Sequence, residues 1–381
     1  WPSFTQAEAD AVSKVLLSNK VNYWTGQECR EFEKEFAQFA GTKHAVAVAN
    51  GTVALDLALK ALGIGAGDDV VVTSRTFLAS ASSIITAGAN PIFADVELDS
   101  QNISRRSIEA VLTPNTKAII CVHLAGWMCD MDPIMQLAEE KGIFVIEDCA
   151  QAHGAMYKGK SAGSIGHIGA WSFCQDKIMT TGGEGGMVTT NDEGLWKTMW
   201  SYKDHGKNFD SVYNKQHPPG FRWLHDSFGT NWRMMEMQAV IGRLQLKQMP
   251  EWTSKRNTNM ARIQGVFENN PYFTVAKPSA DYVHAAYKCY VQVNVDALPE
   301  VWSRDRIMAE MSSQAVPCFS GSCSEVYLEK AFDGSAWRPK QSLPNAKQLG
   351  ESSLMFLVHP TLSDASMQKT VDVITQVIAK I

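Results

Sequence analysis

Lys177 stands between an apolar run and a glycine-rich run, a setting that could make its side-chain amine a nucleophile. The preceding residues Trp171–Phe173 have the character of a buried strand, and Thr180–Met187 contains four glycines. Glycines allow a backbone to approach a ligand closely. An amine that is held partly out of water loses its charge more easily and becomes nucleophilic. A solvated surface lysine is the commoner alternative for one such residue.

A carboxylate ends a second apolar run. Val145 and Ile146 lead into Glu147 and Asp148, which predicts an acid at the C-terminal end of a buried strand, where open α/β sheets bind ligands. A buried aspartate is costly unless it meets a cation or several hydrogen-bond donors. A protonated pyridine nitrogen would satisfy it, and a capping role at the strand end is the alternative.

The segment Asn50-Gly51-Thr52 joins a predicted strand to a predicted helix that begins at Val53. Free backbone N–H groups and the positive end of the helix dipole make such a junction an anion site, to which Thr52 adds a hydroxyl group. A threonine that only caps the helix is the simpler explanation. The glycine fingerprint for dinucleotides is missing, because Gly63–Gly67 follows a helix and is typical of a helix end, and the Walker loop is missing too.

The elements that must position these groups follow a regular alternation between residues 40 and 190. The predicted strands are Ala45–Ala49, Val70–Thr73, Pro91–Ala94, Ala118–Val122 and Phe144–Glu147. The predicted helices are Val53–Leu62, Leu78–Ala87, Arg106–Leu112 and Pro133–Lys141. This alternation predicts an α/β fold with a mostly parallel central sheet that is covered by helices on both faces.

The pattern changes after about residue 233. We predict a long helix Met235–Gly265 that Pro250 interrupts, a strand Lys288–Val295, and the helices Arg304–Ser313 and Ala365–Ile381. These elements predict a smaller α+β C-terminal domain over residues 251–381, after a large domain over residues 1–250.

The segment Asn208–Gly229 lacks periodicity and is rich in aromatic residues, histidine, glycine and proline. An ordered loop of this length is often functional, and a plain surface excursion is the alternative.

Composition narrows the class of protein. Hydrophobic residues make up 45% and charged residues 20%, as in a well-packed globular chain. A net charge of −5 without a basic run argues against nucleic acid, and the apolar runs are far shorter than the roughly 20 residues that span a bilayer. No signal peptide is expected at the N-terminus. The eight cysteines include no CxxC pair, so we expect neither a metal site nor a disulfide framework. A reducing cytoplasm is the compartment that fits this pattern.

Together, these residues resemble the DegT/DnrJ/EryC1/StrS family of sugar aminotransferases. The matches between Gly26 and Leu246 are Asn50–Thr52, Thr76-Phe77, Val122–Gly126, Glu147-Asp148, Gln151–Ala155, Ser172-Phe173, Lys177, Thr180–Met187 and Asn231–Met234. The resemblance implies the type I, aspartate aminotransferase-like fold and pyridoxal 5′-phosphate (PLP) as cofactor.

The family pattern also implies a role for individual residues. Lys177 would form the Schiff base with PLP and shuttle protons, and Asp148 would pair with the pyridinium nitrogen. The other implied cofactor contacts are Phe77 on the ring face, Gln151 on the phenolic oxygen, and Gly51, Thr52, Val53 and Ser172 on the phosphate. Asn231 is expected to reach the phosphate of a neighbouring subunit, which implies a homodimer with shared active sites.

The implied reaction is transamination of a keto sugar with L-glutamate as amino donor. Lys177 excludes the dehydratase branch of the family, which has histidine at this position. Trp171–Met187 and the segment 208–229 most resemble the members that convert 8-keto-3,8-dideoxy-manno-octulosonate into the 8-amino sugar of lipopolysaccharide. Two alternatives stay open: an aminotransferase for a nucleotide-linked 3- or 4-keto hexose, and a PLP-binding regulatory protein without turnover.

Two features add to these expectations. The glycine-rich run is one glycine longer than is usual in the family, so the path of this loop is not predicted. Carboxylate-bearing substrates also require cations in the pocket, and the sequence does not rank the candidates Arg75, Arg222, Arg233, His217, His225 and His359.

Overall fold

The structure is a computed structural model that describes residues 1–381. The helices are α1 (Gln6–Leu17), α2 (Glu28–Ala40), α3 (Gly51–Ala61), α4 (Ala79–Thr86), α5 (Arg105–Glu109), α6 (Met131–Lys141), α7 (Glu193–Tyr202), α8 (Phe209–Tyr213), α9 (Glu236–Leu246), α10 (Met249–Phe267), α11 (Arg304–Ser313), α12 (Pro344–Ser352) and α13 (Asp364–Ile378). The strands are β1 (His44–Val48), β2 (Asp69–Thr73), β3 (Asn90–Ala94), β4 (Thr116–Val122), β5 (Phe144–Asp148), β6 (Met156–Tyr157), β7 (Lys160–Ser161), β8 (Ile168–Ser172), β9 (Gly186–Thr190), β10 (Phe273–Thr274), β11 (Tyr282–Val283), β12 (Cys289–Val293), β13 (Cys318–Phe319) and β14 (Ser353–Phe356).

A seven-stranded sheet in the order β1-β9-β8-β5-β4-β2-β3 forms the centre of the molecule. The pairs among β8, β5, β4, β2 and β3 are parallel, and β9 runs antiparallel to both of its neighbours, β1 and β8. Six strands therefore point the same way, and their C-terminal ends meet at one edge. The predicted mostly parallel sheet is confirmed.

Apolar side chains cover both faces of this sheet, because its strands have few polar residues. One face carries a cluster of 40 buried residues that includes Phe32, Phe36 and Trp171, and the other carries 26 that include Leu57 and Trp200. Such double coverage is expected when a buried parallel sheet alternates with helices. This packing on both faces fixes the positions of the strand ends.

A second, antiparallel sheet in the order β10-β12-β14-β13 lies towards the C-terminus. Twenty buried residues from this sheet, from α10, α11 and α13 and from the segments that connect them form a separate core, among them Phe267, Val291 and Ile374. The α+β character predicted for this part is therefore present. The domain boundary at residues 250–251 stays a prediction.

The C-terminal predictions differ from the structure mainly at one helix. The predicted helix Met235–Gly265 is two helices, since α9 ends at Leu246 and α10 begins at Met249. Pro250 lies in the first turn of α10, where a missing N–H breaks no intrahelical hydrogen bond. None of the helices combines the length and the apolar character that crossing a membrane requires.

Candidate active site

The sheet edge gathers most of the residues singled out in the sequence. Asp148 and Ser172 are the last residues of β5 and β8, and Gly51 begins the helix that follows β1. Phe77 follows β2, and Lys177 lies in the loop after β8. Parallel strands bind ligands at their C-terminal ends, so the arrangement is that of a binding site.

Asp148 is a buried acid whose hydrogen-bond partners are all neutral. Its Oδ2 accepts from the Ser80 hydroxyl at 2.8 Å, and its Oδ1 accepts from the Ala150 N–H at 3.1 Å. Burial raises the pKa of Asp148, and these hydrogen bonds together with the charge of Lys177 oppose that rise. A cationic ring nitrogen at this point would stabilise the carboxylate further.

A narrow cradle lies where α3 begins. A Cβ atom on Gly51 would lie 2.5 Å from the Cβ of Ser172, and one on Gly186 would collide with the carbonyl oxygen of Asn50. The backbone therefore approaches β8 and β9 as only glycine allows. The N–H groups of Gly51 and Thr52 have no intrahelical acceptor, because they belong to the first turn of the helix.

Asn50, and not Thr52, caps this helix. The Asn50 side chain accepts from the N–H of Val53 at 2.9 Å, while the Thr52 side chain is exposed in the first turn. The simple capping explanation for Thr52 is therefore wrong, and its hydroxyl stays free for a ligand. Asn50 could have been identified from the sequence, since asparagine is a preferred N-cap residue.

Lys177 is held close to the protein. Its side chain is 17% exposed, and its amine lies 3.9 Å from Asp176 and 5.6 Å from the ring centroid of Tyr287. The Tyr287 hydroxyl donates to Asp176 at 2.7 Å, and the Trp1 indole N–H donates to the carbonyl oxygen of Lys177 at 2.6 Å. The amine therefore faces a confined space and not bulk water. No sequence signal pointed to Trp1 or Tyr287.

The glycine-rich run folds back onto the residues before Lys177. Gly182 and Gly183 have positive φ angles of 89° and 123°, a conformation that favours glycine. The Gly183 carbonyl accepts from the N–H of Gln175 at 2.9 Å, and the Thr181 hydroxyl donates to the Glu184 carbonyl at 2.6 Å. The path of this loop, which the sequence did not predict, closes the turn that carries Lys177.

Gln151 holds the turn after β4. Its Oε1 accepts from the N–H of Ala125 at 2.8 Å, which leaves its amide N–H₂ group for a ligand. Beside it, His123 Nδ1 accepts from the Cys129 N–H, so its Nε2 carries the proton that Glu147 accepts at 2.8 Å. The Glu147–His123 pair thus positions the turn.

Three potential metal donors, His123, Glu147 and Cys149, lie within 4.8 Å of one another. The Glu147 carboxylate, however, already accepts from His123 and from the N–H groups of Gly163, Ile165 and Gly166. This cluster therefore serves as a hydrogen-bond network of the scaffold.

Two predicted cofactor residues are open to solvent. The Phe77 side chain is 71% exposed, so the ring is available for stacking. Asn231 is also exposed, on a segment that lies along the end of β1, where the Ala49 N–H donates to the Trp232 carbonyl at 2.9 Å. The role of Asn231 towards a partner subunit stays a prediction.

The cation candidates separate into engaged and exposed residues. Arg75 is fully buried, and its three nitrogens donate to Gln101, Ser324 and Ser353, so it ties the sheet to the C-terminal part and its candidacy is wrong. Arg233 pairs with the buried Asp204 at 2.8 Å. The other four candidates are less enclosed: Arg222 and His225 are exposed, and His217 and His359 are half-buried.

The family model for the DegT/DnrJ/EryC1/StrS aminotransferase family matches residues 2–375. The chain belongs to this family. Spore coat polysaccharide biosynthesis protein SpsC of Bacillus subtilis is 34% identical, over 99% of this chain and 96% of that protein. The dTDP-3-amino-3,4,6-trideoxy-alpha-D-glucose transaminase of Streptomyces venezuelae is 31% identical, over 97% of this chain and 92% of that protein.

The X-ray structure of the aminotransferase from Psychrobacter cryohalolentis superimposes on this fold with a TM-score of 0.99. The two sequences are 64% identical, and the match covers 100% of this chain and 98% of that one. The type I fold and the assignment as a PLP-dependent sugar aminotransferase are thereby confirmed.

The residues present fit PLP. The cradle at Gly51 and Ser172 matches a phosphate, because it offers N–H groups, a hydroxyl group and no bulk. The Asp148 carboxylate, which has only neutral partners, matches a protonated ring nitrogen. PLP is therefore the cofactor we expect for this member of the family.

Proposed function

We propose that this aminotransferase transfers the amino group of L-glutamate to the keto group of a sugar. One observation supports the proposal above all. The Lys177 amine, the buried Asp148 carboxylate and the Gly51–Ser172 cradle occupy the same sheet edge, as the aldehyde, nitrogen and phosphate of PLP would require.

Each group then has a task. PLP, when bound, supplies an aldehyde and an electron sink. Lys177 would hold the cofactor through its amine and would move the proton at the donor's α-carbon; such proton transfer is worth about 10²–10⁴ in rate. Asp148 would keep the ring nitrogen protonated, and Gln151 would orient the ring through the phenolic oxygen. Thr52, Ser172 and the N–H groups of Gly51 and Thr52 would hold the phosphate, whereas the predicted N–H of Val53 already donates to the Asn50 side chain.

The acceptor we propose is 8-keto-3,8-dideoxy-manno-octulosonate, which gives the 8-amino sugar of lipopolysaccharide. The resemblance of Trp171–Met187 and of the segment 208–229 to members with this substrate supports it. The exposed side chains of Phe221, Trp223 and Phe228 in that segment offer apolar faces for a sugar, and Arg222 among them offers a cation for its carboxylate.

A nucleotide-linked 3- or 4-keto hexose is the second candidate acceptor. The Streptomyces venezuelae relative is named for such an amino sugar, and its similarity extends along almost the whole chain. A comparison of amination rates for the keto octulosonate and for UDP-, GDP- and dTDP-linked keto hexoses discriminates between the two.

The proposal includes a homodimer in the cytoplasm. Asn231 is exposed beside the end of β1, from where it could reach a partner's phosphate site. Eight free cysteines are consistent with a reducing compartment.

The first experiment adds glutamate alone to the PLP-loaded protein and follows the visible absorbance. We expect this absorbance to decline while one equivalent of 2-oxoglutarate forms. Unchanged absorbance would contradict the proposed donor, and would favour a regulatory protein that binds PLP without turnover.

A further inference from the structure

Two cations without a counter-ion lie beside Lys177 on the C-terminal side of the molecule. Arg256 is 1% exposed, and its Nε and Nη2 have no hydrogen-bond partner. Lys288 is half-buried, with its amine 4.7 Å from the ring centroid of Tyr287 and no acid within salt-bridge distance. The neighbouring acid, Asp176, already accepts from Tyr287.

Arg256 belongs to the buried face of helix α10, with its guanidinium 4.9 Å from the ring centroid of Trp1. Arg256, Met260 and Gln264 are spaced by four residues, so they form one stripe along the helix, and all three are buried. Met260 and Gln264 line a cavity of about 30 Å³ together with Lys288. Ala125, whose N–H donates to Gln151, forms part of the opposite wall.

The cavity that Lys288 lines has room for one carboxylate group, and Arg256 lies one helical turn before Met260 of its wall. A water molecule needs about 10–15 Å³ of such space, so the cavity accommodates a group of roughly two polar atoms. Buried cations without partners are unfavourable, and an anion beside them would compensate their charge. Burial lowers the pKa of Lys288, and the charges of Arg256 and Lys177 add to that effect, whereas Asp176 opposes it.

The position relative to Lys177 indicates which carboxylate. Lys177 and Lys288 both approach the ring of Tyr287, so the two amines are neighbours. An α-amino acid carries its carboxylate on the reacting carbon, which must come to Lys177. The carboxylate of an eight-carbon sugar acid is at the far end from its reacting carbon and would lie elsewhere.

We propose that Lys288 and Arg256 bind the α-carboxylate of the amino donor. This inference rests on the proposed function, because it presumes an amino acid donor at Lys177. It makes the cavity beside Lys288 the site of donor specificity.

The test compares glutamate with 4-aminobutyrate, which lacks an α-carboxylate, on the PLP-loaded enzyme. We expect Lys288→Gln to weaken glutamate binding about 10- to 100-fold, since a charged hydrogen bond contributes about 1.5–3 kcal/mol. The slow reaction of 4-aminobutyrate should change less than about twofold. Arg262→Gln on the same helix removes a half-buried cation that lies 3.6 Å from Asp364, and it serves as the matched control.

The charge-preserving variants Lys288→Arg and Arg256→Lys should retain glutamate preference, and melting temperatures verify that each variant is folded. Equal losses for both amino compounds, or unchanged glutamate affinity in Lys288→Gln, would refute the inference. Failure of the proposed function has a different signature, namely that the wild-type enzyme does not react with glutamate. In that case, calorimetric titration with 2-oxoglutarate still tests the carboxylate site. Equally tight binding to the wild-type enzyme and to Lys288→Gln would rule this site out.

Discussion

The two sides of the candidate active site are built differently. On the cofactor side, Asp148 and Gln151 already form hydrogen bonds with the protein, and Ser172 is packed against Gly51. On the side that we propose for the substrates, Arg256 and Lys288 have no acidic partner, and Phe221, Trp223 and Phe228 are exposed. The groups on the cofactor side are held by contacts within the protein, whereas the groups on the substrate side lack partners.

This difference follows from what each side must recognise. PLP has a fixed shape, so the groups that contact it can be locked by backbone hydrogen bonds and close packing. Substrates enter and leave in every cycle, so the groups that bind them must tolerate being without a partner. The largest effects of substitution should therefore come from the cofactor side.

Replacement of Lys177 should have the largest effect. Lys177→Arg keeps the positive charge but removes the amine that bonds to the aldehyde and moves the proton, so we expect a loss of at least about 10²–10⁴ in turnover. Amino-sugar formation, followed by chromatography, measures it. Retained turnover would mean that another residue carries the chemistry.

Replacement of Asp148 tests the buried acid with little change in shape. Asp148→Asn preserves an acceptor for Ser80 but removes the charge, and we expect turnover to decrease about 10²–10³-fold, as when one preorganised electrostatic group is lost. Half-reaction rates with glutamate measure it. Ser80→Ala, which removes one neutral donor but leaves the charge of Asp148 in place, is the control and should cost far less.

The burial of a histidine, His153, predicts that the stability of the fold depends on pH. His153 is buried between Trp171 and Phe173, and burial, with the charges of Lys177 and Arg256, lowers its pKa to about 3. A pKa below the ordinary 6.5 means that the unfolded chain binds the proton first, so stability is lost as the pH falls.

Between pH 7 and pH 5, His153 should therefore remove about 2 kcal/mol from the free energy of unfolding. His153→Phe keeps an aromatic ring but cannot titrate. The free energy of unfolding of this variant, measured with urea, should therefore change by about 2 kcal/mol less than that of the wild type over the same pH range. An unchanged slope would show that His153 is not protonated on unfolding in this range.

The same contrast explains how much could be predicted from the sequence. Strand ends are marked by short apolar runs and the polar or glycine residues that follow them, and the positions of Asp148 and Gly51 were predicted from these, whereas Ser172 was identified through the family resemblance. The antiparallel insertion of β9 carries no such signal, because strand direction depends on contacts distant in sequence. The break at Gln248 was foreseeable from Pro250.

The substrate side could not be predicted in the same way. Arg256 and Lys288 lie in ordinary sequence surroundings, and the role that we propose for them depends on how the fold brings α10 and the residue before β12 together with Lys177. Arg75 shows the opposite case. It was a candidate cation in the sequence, yet in the structure its three nitrogens donate hydrogen bonds to Gln101, Ser324 and Ser353 from three other segments.

The smallest effect should come from the exposed segment 208–229. Trp223 is 83% exposed, so Trp223→Ala should leave the fold and the absorbance of bound PLP unchanged. If its ring stacks on the sugar, the KM for the keto sugar should rise several-fold, because an aromatic contact is worth about 0.5–1.5 kcal/mol. Phe319→Ala, an exposed aromatic residue outside the segment, is the control, and glutamate kinetics should not change in either variant. Loss of PLP in Trp223→Ala would place this segment on the cofactor side and remove the contrast between the two sides.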